Sequence, residues 1–215
     1  MPSGNNAART IEYCGDDLLS INVASPAEAQ ALAEQLRASD AWREVVPGIA
    51  SVVVQFDAID VTIDAAMRRI ADEIKHGIAA LECPDVLLEI PVVYGGDYGP
   101  DLDDVCEQTG LSADELIALH TGQQYRVDLV GFTPGFVYVG GLDDLLLAPR
   151  QHVEAGSVGI ADGRTGLYAL SGPGGWPLIG RTTFRLFDPQ AEEPFPIRAG
   201  MRIKFVSISA AEAGL

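Results

Sequence analysis

Two arginines in the C-terminal half have the surroundings of ligand-binding residues. Arg150 follows a proline in "APRQHVEAGSVGI", and Arg181 follows a glycine in "GGWPLIGRTTF". A guanidinium donates paired hydrogen bonds to a carboxylate or a phosphate, which the ammonium of lysine cannot do. Proline and glycine turns can present such a side chain to a cleft. We therefore predict that both arginines bind an anionic substrate group, with a salt bridge to one of the many acids as the alternative for each.

His120 is the histidine best suited to proton transfer. It ends a predicted helix shortly before Tyr125, whereas His76 lies on a polar helical stretch and His152 in a loop. An imidazole with an ordinary pKa of about 6.5 exchanges protons near neutral pH. We predict His120 as the catalytic residue, and helix capping or a hydrogen bond within the core is the alternative.

The segment "GFTPGFVYVGGLD", residues 131–143, is both glycine-rich and strongly apolar. Glycine permits positive φ and close backbone approach, so dense glycine among apolar anchors indicates a loop with one specific shape. Phe132, Phe136 and Tyr138 are predicted to form an apolar wall against the substrate. A tightly turned barrel corner without a ligand is the alternative.

Ser157 and Trp176 complete the predicted substrate-binding set. Ser157 stands between glycines in "AGSVG" without the spacing of a nucleophile elbow, and Trp176 ends "SGPGGW", whose backbone N–H groups could stabilise developing negative charge. The sequence contains neither a phosphate-binding loop of the Walker type nor a dinucleotide fingerprint. No metal site is predicted, since the three cysteines are far apart and have no histidines nearby. A self-contained active site is therefore hard to find.

The first 85 residues are predicted to form a small α/β domain with the order strand, strand, helix, strand, strand, helix. Ser25 is expected to cap the first helix, with Glu28 completing a capping box. Val52, Val54 and Phe56 alternate as on one face of a strand, and residues 62–80 repeat apolar positions at helical spacing.

Residues 86–215 are predicted to form a second, mainly β domain, which makes the chain α+β. Two short helices come first, one from Leu102 to Gly110 and one capped by Ser112. The acids between residues 97 and 115 are expected to form a solvated face, or else a docking patch for a basic partner. After Tyr125 helix signals disappear, and an antiparallel sandwich or barrel is predicted from the runs "YRVDLVGF", "GSVGIA", "GLYAL", "TTFRLF" and "MRIKFVSI".

Composition excludes several classes of partner. The chain has 215 residues, 47% of them hydrophobic, and 14 Lys and Arg against 31 Asp and Glu give a net charge of −17. This charge repels nucleic acid and anionic lipid surfaces. No apolar run approaches the roughly 20 residues of a membrane helix, and the N-terminus has no signal-peptide core. We expect a cytoplasmic protein that binds neither nucleic acid nor membrane.

Three long motifs carry a resemblance to a known family. The stretch from "EIPVVYGGDYGPDLDD" to "GFTPGFVYVGGLD", the stretch "AGSVGIADGRTGLYALSGPGGWPLIGRTTFRLFDP" and the closing "IRAGMRIKFVSI" resemble the allophanate hydrolase subunit 1 family. This family is also described as the KipI family and as the family of 5-oxoprolinase B subunits. The N-terminal half agrees in pattern through "REVVPGIASVVVQFD", so the resemblance covers nearly the whole chain.

The resemblance implies a small N-terminal α/β domain followed by a cyclophilin-like β-barrel. It implies a KipA-type subunit 2 as partner, a further subunit of the LamB/YcsF type, and ATP-dependent opening of 5-oxoproline, a small carboxylate, to glutamate. ATP is expected to bind mainly to the other subunits, and the isolated chain is expected to be inactive. Hydrolysis of allophanate or another urea-type substrate, and inhibition of a histidine kinase, are the alternatives within the family.

One segment departs from the family pattern. Family members usually have a longer segment with two Pro-Arg pairs and a proline before "AGSVGI". Here "APRQHVEAGSVGI" has the single pair Pro149 and Arg150, and Glu154 stands at the position of the proline. The resemblance therefore gives no support of its own to a substrate-facing role for Arg150.

Overall fold

The computed structural model describes residues 9–79, 86–140, 150–161 and 163–215. The chain divides into two compact units, Met1–Glu82 and Cys83–Leu215. The domain boundary predicted after residue 85 and the predicted turn residue Pro149 lie outside the described residues. Within the described residues, no helix has the length and apolar character needed to cross a membrane.

The N-terminal unit packs two helices against a four-stranded antiparallel sheet. The sheet has the order β1-β2-β4-β3. Alternation puts Leu19, Ile21, Val52 and Val54 on the face buried against the helices. The predicted element order is confirmed, with the bounds β1 Ile11–Tyr13, β2 Leu18–Asn22, α1 Pro26–Arg37, β3 Glu44–Pro47, β4 Ser51–Gln55 and α2 Ile63–Ile74.

Two details of these helices differ from the sequence prediction. Ser25 caps α1 by accepting the N–H of Glu28, but the Glu28 carboxylate accepts from Ala24 N–H at 2.6 Å, one residue before the predicted partner. The helix α2 ends at Ile74 instead of near residue 80. Gly77 has a φ of 92°, which a right-handed helix cannot contain, and its N–H donates to Ile74 O.

The C-terminal unit is built around a closed seven-stranded barrel with the order β10-β7-β6-β13-β5-β12-β9. Its interior is filled by aliphatic and aromatic side chains, including Ile90, Val92, Val127, Ile179 and Phe205. A two-stranded ribbon, β8 with β11, lies outside the barrel order. The bounds are β5 Leu87–Tyr94, β6 Tyr125–Val130, β7 Val137–Gly140, β8 Arg150–Val153, β9 Ser157–Ala161, β10 Arg164–Leu167, β11 Gly172–Gly174, β12 Leu178–Arg181 and β13 Arg202–Ser207.

The barrel differs from the predicted antiparallel one in a single strand pair. β13 runs parallel to β5, with Phe205 opposite Ile90. Residue alternation reports which face of a strand is buried but not which strand is its neighbour, so the sequence could not give this direction. The α+β class with a barrel is confirmed.

Two predictions on local structure after Tyr125 are wrong. In the described range 163–215, residues 182–187 form an irregular segment instead of a strand, and the N–H of Phe184 donates to Thr182 Oγ1 at 3.0 Å. A short helix α5, Ala210–Ala213, follows β13 and has a complete capping box between Ser209 and Glu212. The Ser-Ala-Ala-Glu spacing in the sequence was the signal for it.

The two short helices before β6 are confirmed. The helix α3, Leu102–Thr109, ends at Gly110, which has the left-handed conformation with a φ of 73°. The helix α4, Ala113–Thr121, begins at Ser112 with a complete capping box to Glu115. The last turn of α4 contains His120.

Candidate functional site

His120 lies buried in the C-terminal unit, with 1% of its surface exposed. Its Nδ1 lies 2.6 Å from Tyr94 Oη, and its Nε2 lies 2.8 Å from Thr165 Oγ1. The imidazole stacks on Phe205 with 4.2 Å between the ring centres. Burial lowers the pKa of His120 to about 3, so the ring is neutral at physiological pH.

The Tyr94 hydroxyl determines how this histidine is protonated. Burial raises the pKa of Tyr94, so the hydroxyl keeps its proton, and we assign it as the donor to His120 Nδ1. Nε2 then carries the ring proton and donates a hydrogen bond to the Thr165 hydroxyl. The catalytic role of His120 stays a prediction, while these contacts directly support a hydrogen-bonded core histidine.

Four of the predicted substrate-binding residues form one aromatic cluster around Phe136. The ring centre of Phe136 lies 4.7 Å from that of Tyr138, 5.9 Å from that of Trp176 and 6.0 Å from that of Phe132. Tyr168 joins the cluster at 4.8 Å from Phe136, with the two rings perpendicular. Edge-to-face contacts of this kind stabilise the arrangement beyond simple burial.

The loop between β6 and β7 exposes one member of this cluster. Phe132 has a φ of 71° and is 78% exposed, whereas Phe136 is buried. Gly131 N–H donates to Phe136 O at 3.0 Å and closes the loop. At Gly135 a Cβ would lie 2.9 Å from Ala169 Cβ, so glycine is required there. The loop and Phe195 line an open apolar hollow of about 380 Å³.

Tyr168 is the site residue that the sequence analysis missed. Burial raises the pKa of its hydroxyl, and hydrogen bonding to the backbone of Trp176 and Gly175 opposes this rise, so two of the backbone groups predicted to stabilise substrate charge already interact with this tyrosine. Its backbone N–H donates to Ser157 O at 3.0 Å. An aromatic residue in the predicted strand "GLYAL" was the available signal.

Arg150 forms an ion pair with the buried carboxylate of Asp101. Asp101 is 5% exposed, precedes α3 and accepts the backbone N–H of Leu178 at 2.6 Å. The salt bridge named as the alternative for Arg150 is therefore present. It connects the β8–β11 ribbon to α3 and to β12. Asp101 belongs to the acids predicted to form a solvated face, and for this residue that prediction is wrong.

Arg181 contrasts with Arg150. It ends β12 opposite Ser157 on β9, and its Nε is buried with no hydrogen-bond acceptor among the described residues. The guanidinium carbon lies 5.8 Å from the centre of the Tyr98 ring, a cation–π arrangement. Ser157 itself is buried, and its N–H donates to Glu154 O at 3.1 Å.

The structure therefore brings most of the predicted residues into one region. Tyr168 contacts Phe136 through its ring and Ser157 through its backbone, and Ser157 lies opposite Arg181. Within the described ranges, no hydrogen bond or ring contact joins His120 to the aromatic cluster or to either arginine. The described residues also contain no group of three or more His, Cys, Asp or Glu placed to hold a metal ion.

Sequence comparison identifies relatives over most of the chain. The family model for the carboxyltransferase domain, subdomain C and D, matches residues 9–197. The 5-oxoprolinase B subunit of Bacillus subtilis (strain 168) is 39% identical over 181 residues, which are 77% of this chain and 75% of that protein. The 5-oxoprolinase B subunit of Haemophilus influenzae is 37% identical over 184 residues, 82% of this chain and 84% of that protein.

Solved structures with the same fold come from chains of very different length. The crystal structure of TTHA0988 superposes with a TM-score of 0.74 at 29% identity, and the match covers 93% of this chain but 40% of that one. The uncharacterized protein PH0987 from Pyrococcus horikoshii is 35% identical, with a TM-score of 0.57 and 99% of its chain covered. The Kluyveromyces lactis urea amidolyase shares the fold at 15% identity, with a TM-score of 0.78 over 15% of its length.

Proposed function

Because this chain belongs to the family of the carboxyltransferase domain, subdomain C and D, and its curated relatives are 5-oxoprolinase B subunits, we propose that it is a subunit of an ATP-dependent 5-oxoprolinase. In this reaction water adds to the lactam carbonyl of 5-oxoproline, the ring C–N bond breaks, and glutamate is formed. The identity of 39% over 77% of the chain to the Bacillus subtilis protein is the observation that carries the proposal.

The described site has groups that suit this small cyclic carboxylate. Arg181 provides a half-buried guanidinium whose positive charge suits the substrate carboxylate. Phe136, Tyr138 and Trp176 offer aromatic edges and faces to the apolar ring carbons. In this proposal Arg150 is a positioning residue, because its guanidinium is paired with Asp101 and holds the ribbon in place.

The remaining chemistry is assigned to partner subunits. We place the ATP site and the groups that activate water on a KipA-type subunit 2 and a LamB/YcsF-type subunit, so the isolated chain is inactive. The length of TTHA0988 supports a partner, since the equivalent fold occupies 40% of that single chain. In this arrangement the exposed Phe132 and the apolar hollow beside it face the partner or close over the substrate.

The experiment that tests the proposed substrate uses the complete purified assembly and three substrates. With ATP present, 5-oxoproline should be converted to glutamate, whereas allophanate and urea should be recovered unchanged. Formation of ammonia from allophanate or urea, with 5-oxoproline untouched, would replace the proposed function by the urea-type alternative. ADP formation, measured in the same samples, shows whether ATP is consumed in proportion to the glutamate formed.

A further inference from the structure

Phe132 presents its ring to solvent from a loop of fixed shape. Its φ of 71° is a left-handed conformation that bulky residues rarely adopt, and the residue is 78% exposed. Thr133 N–H donates to Gly131 O and Phe136 N–H donates to Thr133 O, each at 3.0 Å, and these bonds hold the loop in this conformation. The strained backbone costs stability, and the exposed ring buries little apolar area in return. Strain of this kind at an exposed aromatic residue indicates a functional contact.

Phe195 forms the opposite wall of the apolar hollow and is held equally firmly. It is 37% exposed, and its ring stacks on that of Phe187 with 4.9 Å between the ring centres. A Cβ at Gly135 would lie 3.1 Å from Phe195 Cδ1, so the ring packs directly on the backbone of the loop between β6 and β7. Because both walls are fixed before anything binds, filling the hollow costs little conformational entropy.

The lining of the hollow suits an apolar side chain and not a small anion. The described residues that line it are Phe195 and residues 130–135, and none of these is charged. A carboxylate or a phosphate placed there would lose water without gaining a cationic partner. An open apolar hollow of about 380 Å³ can instead accept an aliphatic or aromatic side chain that protrudes from another protein.

The segment that leads to Phe195 is acidic, which restricts the kind of protein that can approach. Residues 188–195 contain three acids. Asp188 and Glu193 each pair with an arginine, whereas Glu192 is exposed and forms no ion pair within the described residues. The chain as a whole has a net charge of −17. A second copy would therefore bring acids against acids, whereas a surface with basic side chains around an apolar anchor would be attracted.

We infer that the hollow between Phe132 and Phe195 is the docking site for another protein chain, whose surface carries an aliphatic or aromatic side chain flanked by Lys or Arg. The inference rests on the proposed function, which supplies that chain as the KipA-type subunit 2. A protein occupant is also supported by TTHA0988, because the larger part of that chain lies outside the match to this fold. Phe132 is then the anchor of the contact, and Glu192 provides charge that speeds association.

The test measures association and dissociation rates between the full chain and purified KipA-type subunit 2 by surface plasmon resonance, at low and at physiological salt. Phe132→Gly removes the ring and suits the left-handed backbone, so this variant keeps its fold. Phe132→Tyr retains an aromatic anchor. Leu119→Ala is the apolar control, because Leu119 is 50% exposed on α4 of the same unit. Glu192→Lys tests the charge, and Glu107→Lys, at an exposed acid on α3, makes the same change in net charge elsewhere.

Phe132→Gly should weaken binding at least about tenfold, mainly through faster dissociation, because it removes the anchor. Phe132→Tyr and Leu119→Ala should bind like wild type. Glu192→Lys should slow association about threefold at low salt and leave the dissociation rate unchanged, since charges at the rim of an interface act mainly on association. Glu107→Lys should slow association less.

Binding that survives Phe132→Gly, or no binding of subunit 2 to wild type, overturns the inference. A dimer of this chain alone that Phe132→Gly dissociates, detected by sedimentation, would make a second copy the occupant. Unchanged association with a raised Michaelis constant for 5-oxoproline would show that the loop closes over the substrate instead. If subunit 2 binds through Phe132 but the complete assembly forms no glutamate, the proposed function fails and the docking site stands. If glutamate forms and Phe132→Gly binds normally, the docking site fails and the proposed function stands.

Discussion

Asp101 and Arg150 form an ion pair in which the carboxylate also accepts the backbone N–H of Leu178. The two residues are 49 positions apart in the sequence, and the pair connects α3, the β8–β11 ribbon and β12. A buried carboxylate with two partners of this kind is costly to remove, because both partners then lose their counterpart in a place with little water.

The first prediction concerns this ion pair. Asp101→Ala should lower the free energy of unfolding by about 3 kcal/mol, since it leaves Arg150 and the Leu178 N–H without their acceptor. Asp103→Ala is the matched control, because Asp103 is exposed on the first turn of the same helix. Urea denaturation measures both. Equal losses for the two variants would show that the pair does not stabilise this region.

The second prediction uses the pH dependence of His120. Its pKa is about 3 in the folded protein and about 6.5 in the unfolded chain, so the unfolded chain binds one more proton between these values. This histidine therefore lowers stability as the pH falls below 6.5. Between pH 7 and pH 5 wild type should lose about 2 kcal/mol more than His120→Gln, which has no titrating group.

Unfolding of the C-terminal unit at the two pH values can be followed through Trp176 fluorescence in a Trp42→Phe background, because the sequence has two tryptophans. If the free energy of unfolding changed equally with pH in wild type and His120→Gln, His120 would not be buried as a neutral ring. Turnover of the assembly with His120→Gln tests the catalytic prediction separately. A loss of kcat with unchanged stability at pH 7 would support a proton carrier, whereas parallel losses in stability and activity would support a structural role.

The third prediction concerns the backbone at Gly156. It has a φ of 83°, and a Cβ there would lie 2.4 Å from Thr182 O. Gly156→Ala should therefore destabilise the protein by at least about 2 kcal/mol, from the left-handed backbone conformation and the clash with a backbone oxygen. Gly172→Ala is the control, because Gly172 has open space around its Cα and no positive φ. Thermal denaturation of both variants decides the matter, and a Gly156→Ala midpoint as high as that of the control would contradict the prediction.

The fourth prediction concerns the exposed Phe132. Phe132→Ala should leave the unfolding free energy of the chain within about 0.5 kcal/mol of wild type, because the side chain is 78% exposed. The substitution should lower turnover of the assembly about tenfold or weaken the association of its subunits. The reason is that large aromatic side chains contribute much of the binding energy at protein–protein interfaces. Ile59→Ala, at a residue 89% exposed in the N-terminal unit, serves as the control. Unchanged turnover and unchanged assembly would rule out a functional role for Phe132.

Local signals predicted the local structure well. Gly110 and Ser112 marked the end of one helix and the beginning of the next, and the alternation of Val52 and Val54 identified the buried face of β4. The short helix α5 had a capping box that could have been recognised. These features depend on residues within four positions of one another, which is the range over which a sequence pattern is informative.

The site depends on contacts between distant residues, so the sequence could identify its members but not their partners. Arg150 and Arg181 had equal surroundings in the sequence, yet Arg150 is paired with Asp101 while Arg181 Nε is unpaired among the described residues. His120 ends a helix as predicted, but only the fold shows that its ring contacts Tyr94 and Thr165. Which strand lies next to β13 is likewise a long-range property.

The measurement that tests the proposed function most directly is ATP-dependent formation of glutamate from 5-oxoproline by the complete assembly, with and without this chain. The assembly should convert 5-oxoproline only when this chain is present, and the purified chain alone should convert none. Equal turnover after omission of the chain, or no turnover from a stable assembly that contains all subunits, would contradict its assignment as a 5-oxoprolinase subunit.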